Sequence, residues 1–187
     1  PRARAEVFCV ATAVDLQNAL VLATANGQDD EVRIVQGTYV GNFVYASTEA
    51  QALSVLGGYT AGCAGRTLDP VNTILDGNQK NSVIALSAPD VAAKFIVQGI
   101  TVMNGTRYSG NGGGIYAVPG FYGSVLIDQN IITGNRSTYG GGVHARYHAT
   151  LTNNTITGNG ATIGGGIHSD GLSTFANNTI AYNIGDW

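Results

Sequence analysis

The chain repeats itself. GGGVHARYHATLTNNTITGN at 140–159 and GGGIHSDGLSTFANNTIAYN at 164–183 have equal length and share ten of their twenty residues, at a step of 24. A fixed period of this size is the mark of a solenoid, because each unit is too small to bury its own apolar face and must stack on the next. The same step carries Asn130 to Asn154 to Asn178, and Asn135 to Asn159 to Asn183. Glycine triplets begin at Gly112, Gly140 and Gly164, and the longer first interval leaves room for an insertion, VPGFYG, at 118–123. A weaker copy, FIVQGITVMNG, occupies 95–105; its Asn104 precedes Asn135 by 31, which predicts a seven-residue loop between them.

Within one unit, short apolar runs such as ATLTNNTIT and GGGVHA are broken by Gly and Asn. They are too short and too glycine-rich for helices and read as strands of three to five residues between tight bends. Three such strands make one coil, and coils stacked about 4.8 Å apart turn each strand position into a parallel sheet. A bend that enters the core needs partners for its backbone groups. Asn supplies a donor and an acceptor and tolerates left-handed dihedrals. The two asparagine rows are therefore expected as structural ladders, and the glycines as positions of positive φ or close coil-to-coil passage.

The pairing of GGGI or GGGV with FANNTIAYN, an F-x-x-N pattern literal at Phe175–Asn178, resembles the repeat of polymorphic outer-membrane proteins. More broadly it resembles the pectin-lyase-like superfamily. The resemblance covers residues 95–183. It implies an all-β, right-handed, single-stranded parallel β-helix, and it leaves activity open between lyases, hydrolases, adhesins and non-catalytic coils. A lyase of this kind would carry an Asp cluster binding Ca²⁺, and a hydrolase paired or tripled Asp. The candidates are Asp69, Asp76, Asp90 and Asp128. The Asp128 column continues as Thr152 and Ala176, so no carboxylate ladder runs through the alignable coils.

Residues 14–26 place Leu16, Ala19, Leu20 and Ala23 at helical spacing, with Thr12 and Asp15 in capping-box form and Gly27 as a stop. The chain is expected to be one domain. Residues 1–30 form an N-terminal helical cap, 31–94 irregular early coils, 95–183 regular coils, and 184–187 an uncapped or truncated end through which two copies could meet. Cys9 and Cys63 read either as one disulfide tying the cap to the loop GGYTAGCAGRT, or as two buried thiols. With Ala3-Arg4-Ala5 in the form of a signal-peptidase remnant, they point to a secreted or cell-surface protein of bacterial-type export.

Hydrophobic residues make up 44% of the chain and charged residues 11%, with a net charge of −3. Charge is less than half the ~25% usual for soluble domains, and no basic stripe exists to hold nucleic acid. No run of 18 apolar residues is present to span a membrane. The polar surface is instead amide, hydroxyl and tyrosine. After each triplet, Ile115-Tyr116, Val143-His144 and Ile167-His168 should point their branched residue inward and the next outward. Tyr116, His144 and His168 then form one outward column, which reads either as an aromatic cover or as a pair of imidazoles able to bind Zn²⁺ or to titrate together. No third ligand is assigned, because His148 lies in another column, and no resident cofactor is expected. Arg146 aligns with Asp170 as a cross-coil ion pair. Tyr108, Tyr122, Tyr139 and Tyr147 lie in or beside loops and suit sugar rings or a protein partner. The expected function is non-catalytic adhesion or binding of a glycan or partner through a lateral face, with a polysaccharide lyase or glycoside hydrolase as the alternative.

Overall fold

The computed structural model describes residues 5–185. Ala3, Arg4 and Trp187 lie outside them, so the export remnant and the final cover of the last coil are not addressed. Three parallel sheets run the length of the molecule. The first collects Glu6–Val10, Asp30–Val35, Ala52–Tyr59, Lys94–Gln98, Ser124–Asp128, His148–Thr152 and Ser173–Ala176. The second starts with Gly37–Val40 and Thr73–Lys80 and reaches Thr101–Asn111, an 11-residue strand that runs through a bend. Beyond it this sheet divides into two limbs. Ile131–Thr133, Thr155–Thr157 and Thr179–Ala181 form one, and Arg136–Tyr139, Gly160–Ile163 and Ile184–Gly185 the other. The third sheet holds Phe43–Ala46, Ile84–Ser87, Ile115–Val118, Val143–Arg146 and Ile167–Asp170. The protein is an all-β parallel β-helix.

Alternation sets the core. Val32, Val55, Val97, Ile127 and Leu151 pair in register along the first sheet and all are buried. Val102, Ile132 and Ile156 do the same on the second. On the third sheet Ile84, Ile115 and Val143 are likewise fully buried, and Ile167 packs against them. Because side chains alternate across a strand, the residues between these face outward.

Both asparagine rows stack at the bends. Asn130 Nδ2 donates to Asn154 Oδ1 at 3.1 Å, and Asn154 Nδ2 to Asn178 Oδ1 at 3.0 Å. Asn135 Nδ2 donates to Asn159 Oδ1 at 3.0 Å, and Asn159 Nδ2 to Asn183 Oδ1 at 2.9 Å. Each Oδ1 also accepts the backbone N–H of the asparagine one coil back. Each Nδ2 also reaches a carbonyl of the preceding coil. The residue before each rung is left-handed, with φ of 54–57° at Gln129, Asn153 and Asn177 and 66° at Gly134 and Gly158. The bend is thus a two-residue device: one residue turns the chain and the next satisfies the backbone that the turn exposes.

The structure corrects the position of Asn104. Thr101 pairs with Ile131 and Thr106 with Arg136, so Gly105, not Asn104, is the counterpart of Asn135. The Gly105 N–H takes the ladder bond to Asn135 Oδ1 at 2.8 Å. Asn104 is the left-handed residue of that bend, φ 58°, and donates to Asp76 Oδ2. The extra residues of this coil are split between two corners rather than forming one loop. One group is Tyr108–Gly110, where the register shifts between Arg107 and Asn111, and the other lies at 119–122, between Val118 and Ser124.

The glycine triplet has two physical origins. Gly140 sits at φ 66°, where a side chain is strained. A Cβ on Gly141 would come within 2.3 Å of the Gly160 carbonyl oxygen of the same coil, and one on Gly142 within 2.6 Å of the Gly166 carbonyl of the next.

The helix α1 spans Ala13–Leu22 and is capped by Thr12, whose Oγ1 accepts the Asp15 N–H at 3.1 Å. Leu16, Ala19 and Leu20 are buried, so α1 covers the first coil. It ends earlier than the apolar spacing predicts. The Thr24 hydroxyl bonds back to the Val21 carbonyl, and Asn26 turns outward to bridge Glu6 and Asp30. Gln17 donates to the Val44 carbonyl at 2.9 Å and accepts its N–H at 2.8 Å, so one side-chain amide caps the edge strand of the third sheet. The N-terminal segment is more than a helical cover, because Glu6–Val10 already forms the first rung, paired with Asp30–Val35. Cys9 on that rung and Cys63 in the short 3-10 turn Ala61–Cys63 form a disulfide with Cα atoms 5.8 Å apart.

Candidate functional site

The outward face of the third sheet gathers most of the chemistry. Tyr116 pairs with His144 and His144 with His168 across successive coils. The rings stack. Tyr116 and His144 centroids are 5.6 Å apart at 13°, and His144 and His168 centroids 5.1 Å apart at 7°. Arg107 lies over Tyr116 at 5.2 Å, and Tyr139 meets His168 edge-on at 5.2 Å. Closed in by its neighbours, His144 is only 1% exposed although it leaves the sheet on the solvent side. Sequence alternation gives its direction and misses this burial.

Burial, and then the neighbouring His168, push the His144 pKa down to about 4; Asp170 opposes them. The ring is therefore neutral at pH 7. Its Nδ1 lies 3.1 Å from His168 Nδ1, a contact in which one of the two nitrogens carries the hydrogen. Its Nε2 is buried with no hydrogen-bond partner. Asp170 stands two residues beyond His168, so both face outward. Its Oδ1 is 3.7 Å from His168 Nδ1 and its Oδ2 is 3.9 Å from His144 Nε2. Asp170 also lies 3.8 Å from Arg146 Nε, its register partner. Among the described residues, His144, His168 and Asp170 are the one set of three or more His, Cys, Asp or Glu side chains that converge.

Aromatic residues flank this column at both corners. Phe121 and Tyr122, in the insertion, meet edge-on at 4.8 Å, and Phe121 meets Tyr147 at 5.7 Å. Tyr122 is 81% exposed. Tyr147 holds φ 68°, at the corner where Gly171 follows one coil later. At the opposite corner Tyr108 is 82% exposed and Tyr139 is partly so. Further along the same face, Asn42, Asn81, Ser82, Ala85, Arg107 and Tyr116 line an open groove of about 220 Å³.

The four acids expected for an enzyme do not come together, and three of them are occupied by hydrogen bonds. Asp69 accepts from the Val71 N–H, Asp76 from the Asn78 N–H and Asn104, and Asp90 lies in an exposed turn. Partial burial raises the pKa of Asp128, but donors from Thr152, Gln98 and Asn153 outweigh it and hold the carboxyl below its ordinary range. His148 faces away from the histidine pair, with its Nδ1 3.3 Å from the Gly123 carbonyl. Asp170 is the residue that sequence reasoning missed as a third member of the site. The signal was present in the H-S-D order of the strand, because residues two apart share a face. No helix among the described residues is long and apolar enough to cross a membrane. Comparison with models of known families, with curated proteins and with solved structures returned no match.

Proposed function

We propose that this protein works outside the cell as a non-catalytic binding module, holding a neutral or weakly charged glycan across the third sheet and its two aromatic corners. The observation that carries this reading is the cluster of the exposed Phe121 and Tyr122 with the half-buried Tyr147. Two of these rings sit in an insertion that the following coil lacks, and the third holds a positive φ at a corner where the next coil uses glycine. Left-handed backbone at a bulky residue costs on the order of 1 kcal/mol or more, and exposed aromatic rings give nothing back to the core. Flat aromatic faces stack on sugar rings at low entropic cost. The groove beside Tyr116 adds a mainly apolar surface on which a sugar ring can lie, and the low charge of the chain disfavours a strongly ionic ligand. The disulfide supports an oxidising, extracellular setting.

The test is a panel of soluble polysaccharides, neutral and uronic, run by affinity electrophoresis with wild-type protein and with F121A/Y122A and Y108A variants. Retardation by a neutral glycan that falls at least tenfold in F121A/Y122A supports the reading. Binding unchanged in both variants removes this face from it. Appearance of unsaturated products from a uronic polymer would replace it with the lyase alternative.

A further inference from the structure

We infer that His144, His168 and Asp170 form a binding site for one divalent transition-metal ion of the zinc class. One donor atom from each side chain lies within 4.8 Å of the other two. Two imidazoles and one carboxylate are a donor set for Zn²⁺ or its borderline-soft neighbours, whereas Ca²⁺ would want oxygens throughout. The set leaves a fourth position to water.

Three features separate this from a stack of rings that merely covers a sheet. The register stacks the two imidazoles with centroids 5.1 Å apart, which keeps both within reach of one ion. The His144 Nε2 has no partner in a side chain that is 99% buried, a costly arrangement that coordination would relieve. A carboxylate stands beside both rings at 3.7 and 3.9 Å. A phenylalanine or tyrosine at 144 would cover the sheet without stranding a nitrogen. Tetrahedral Zn²⁺, with bonds of about 2.0–2.1 Å, wants donors about 3.3 Å apart. With His144 Nε2 as its donor, the gaps to Asp170, 3.9 Å from Nε2 to Oδ2 and 3.7 Å from His168 Nδ1 to Oδ1, are a few tenths of an ångström wider. Asp170 is half-exposed, so it can close them once it leaves Arg146. The inference does not depend on the glycan reading.

The experiment is titration of tag-free protein with Zn²⁺ by calorimetry, with Co²⁺ absorbance as a coordination readout. We expect saturable binding of one ion per chain and four-coordinate visible bands with Co²⁺. Affinity should fall at least tenfold in D170N and in H168A and stay unchanged in H148A. Because His144→Ala risks the fold, D170N, at an exposed position, carries the test. Absence of saturable binding up to millimolar Zn²⁺ overturns the inference, as does binding that survives both D170N and H168A or is lost in H148A.

Discussion

Replacing Asn154 with alanine tests the ladder at a fully enclosed rung. The side chain makes four hydrogen bonds. Its Oδ1 accepts the Asn130 N–H at 3.0 Å and Asn130 Nδ2 at 3.1 Å, and its Nδ2 reaches the Ile127 carbonyl at 2.8 Å and Asn178 Oδ1 at 3.0 Å. Not all four losses count equally. Asn130 Nδ2 keeps the Val97 and Asp128 carbonyls, and Asn178 Oδ1 keeps the Asn154 N–H. The Asn130 N–H and the Ile127 carbonyl lose the amide outright at a buried site. At about 1–3 kcal/mol for each stranded group, plus a small void, the expected loss is about 3–5 kcal/mol. That is a large share of the roughly 5–15 kcal/mol holding a domain together. Asn178→Ala is the control, since it removes the same chemical group from a half-exposed rung where water can substitute; about 1 kcal/mol is expected. Guanidinium unfolding followed by far-UV circular dichroism reads both, and hydrogen exchange at the Asn130 amide reports the local opening. If N154A destabilises no more than N178A, the ladder is not what secures the bends.

Gly141→Ala should destabilise by about 3 kcal/mol or more, because its Cβ would meet the Gly160 and Gly165 carbonyl oxygens at 2.3 and 2.5 Å, with backbone unable to move cheaply on either side. Thermal unfolding checks this, and a melting temperature equal to wild type would show that the coils pass less closely than described. Asp128→Asn should cost about 1–2 kcal/mol at pH 7, discounted for partial exposure. The folded-state pKa of Asp128 is depressed, so its stabilisation is present above the unfolded value and is lost as pH falls through the folded one. The gap between wild type and D128N measured by urea unfolding should therefore narrow as pH falls below the ordinary carboxylate range, and a constant gap would refute the role of ionisation.

The repeating coils were legible because a 24-residue step aligns like with like, and two features of one face follow from it: the column of rings and the Arg146–Asp170 pairing. Three things were not. The early coils could not be placed because their spacing changes: Asp30 pairs with Leu53, but Ala52 pairs with Lys94, the difference being the segment with the short turns Ala61–Cys63 and Pro70–Asn72. The Asn104 assignment slipped by one because a local M-N-G looks like a rung, whereas register is decided by the paired strand. Burial of His144 escaped because alternation tells which way a side chain leaves a sheet, and only the rings above and below determine whether solvent still reaches it.

The chain grows and shrinks at some corners and not at others. Asn130 and Asn135, Asn154 and Asn159, and Asn178 and Asn183 keep one separation of five, while both sides of the histidine-bearing face accept extra residues at 108–110 and 119–122. In the asparagine-bearing coils these corners are locked by the hydrogen bonds threaded along the axis, so length varies there only at the rim of the histidine-bearing face, whereas the early coil, which has no asparagine rung, carries its extra segment 60–72 at the corner that Asn130 later holds. That rim is where lineages of such a chain can change what they touch without disturbing how they stand, and where grafted loops of new sequence should be carried most easily.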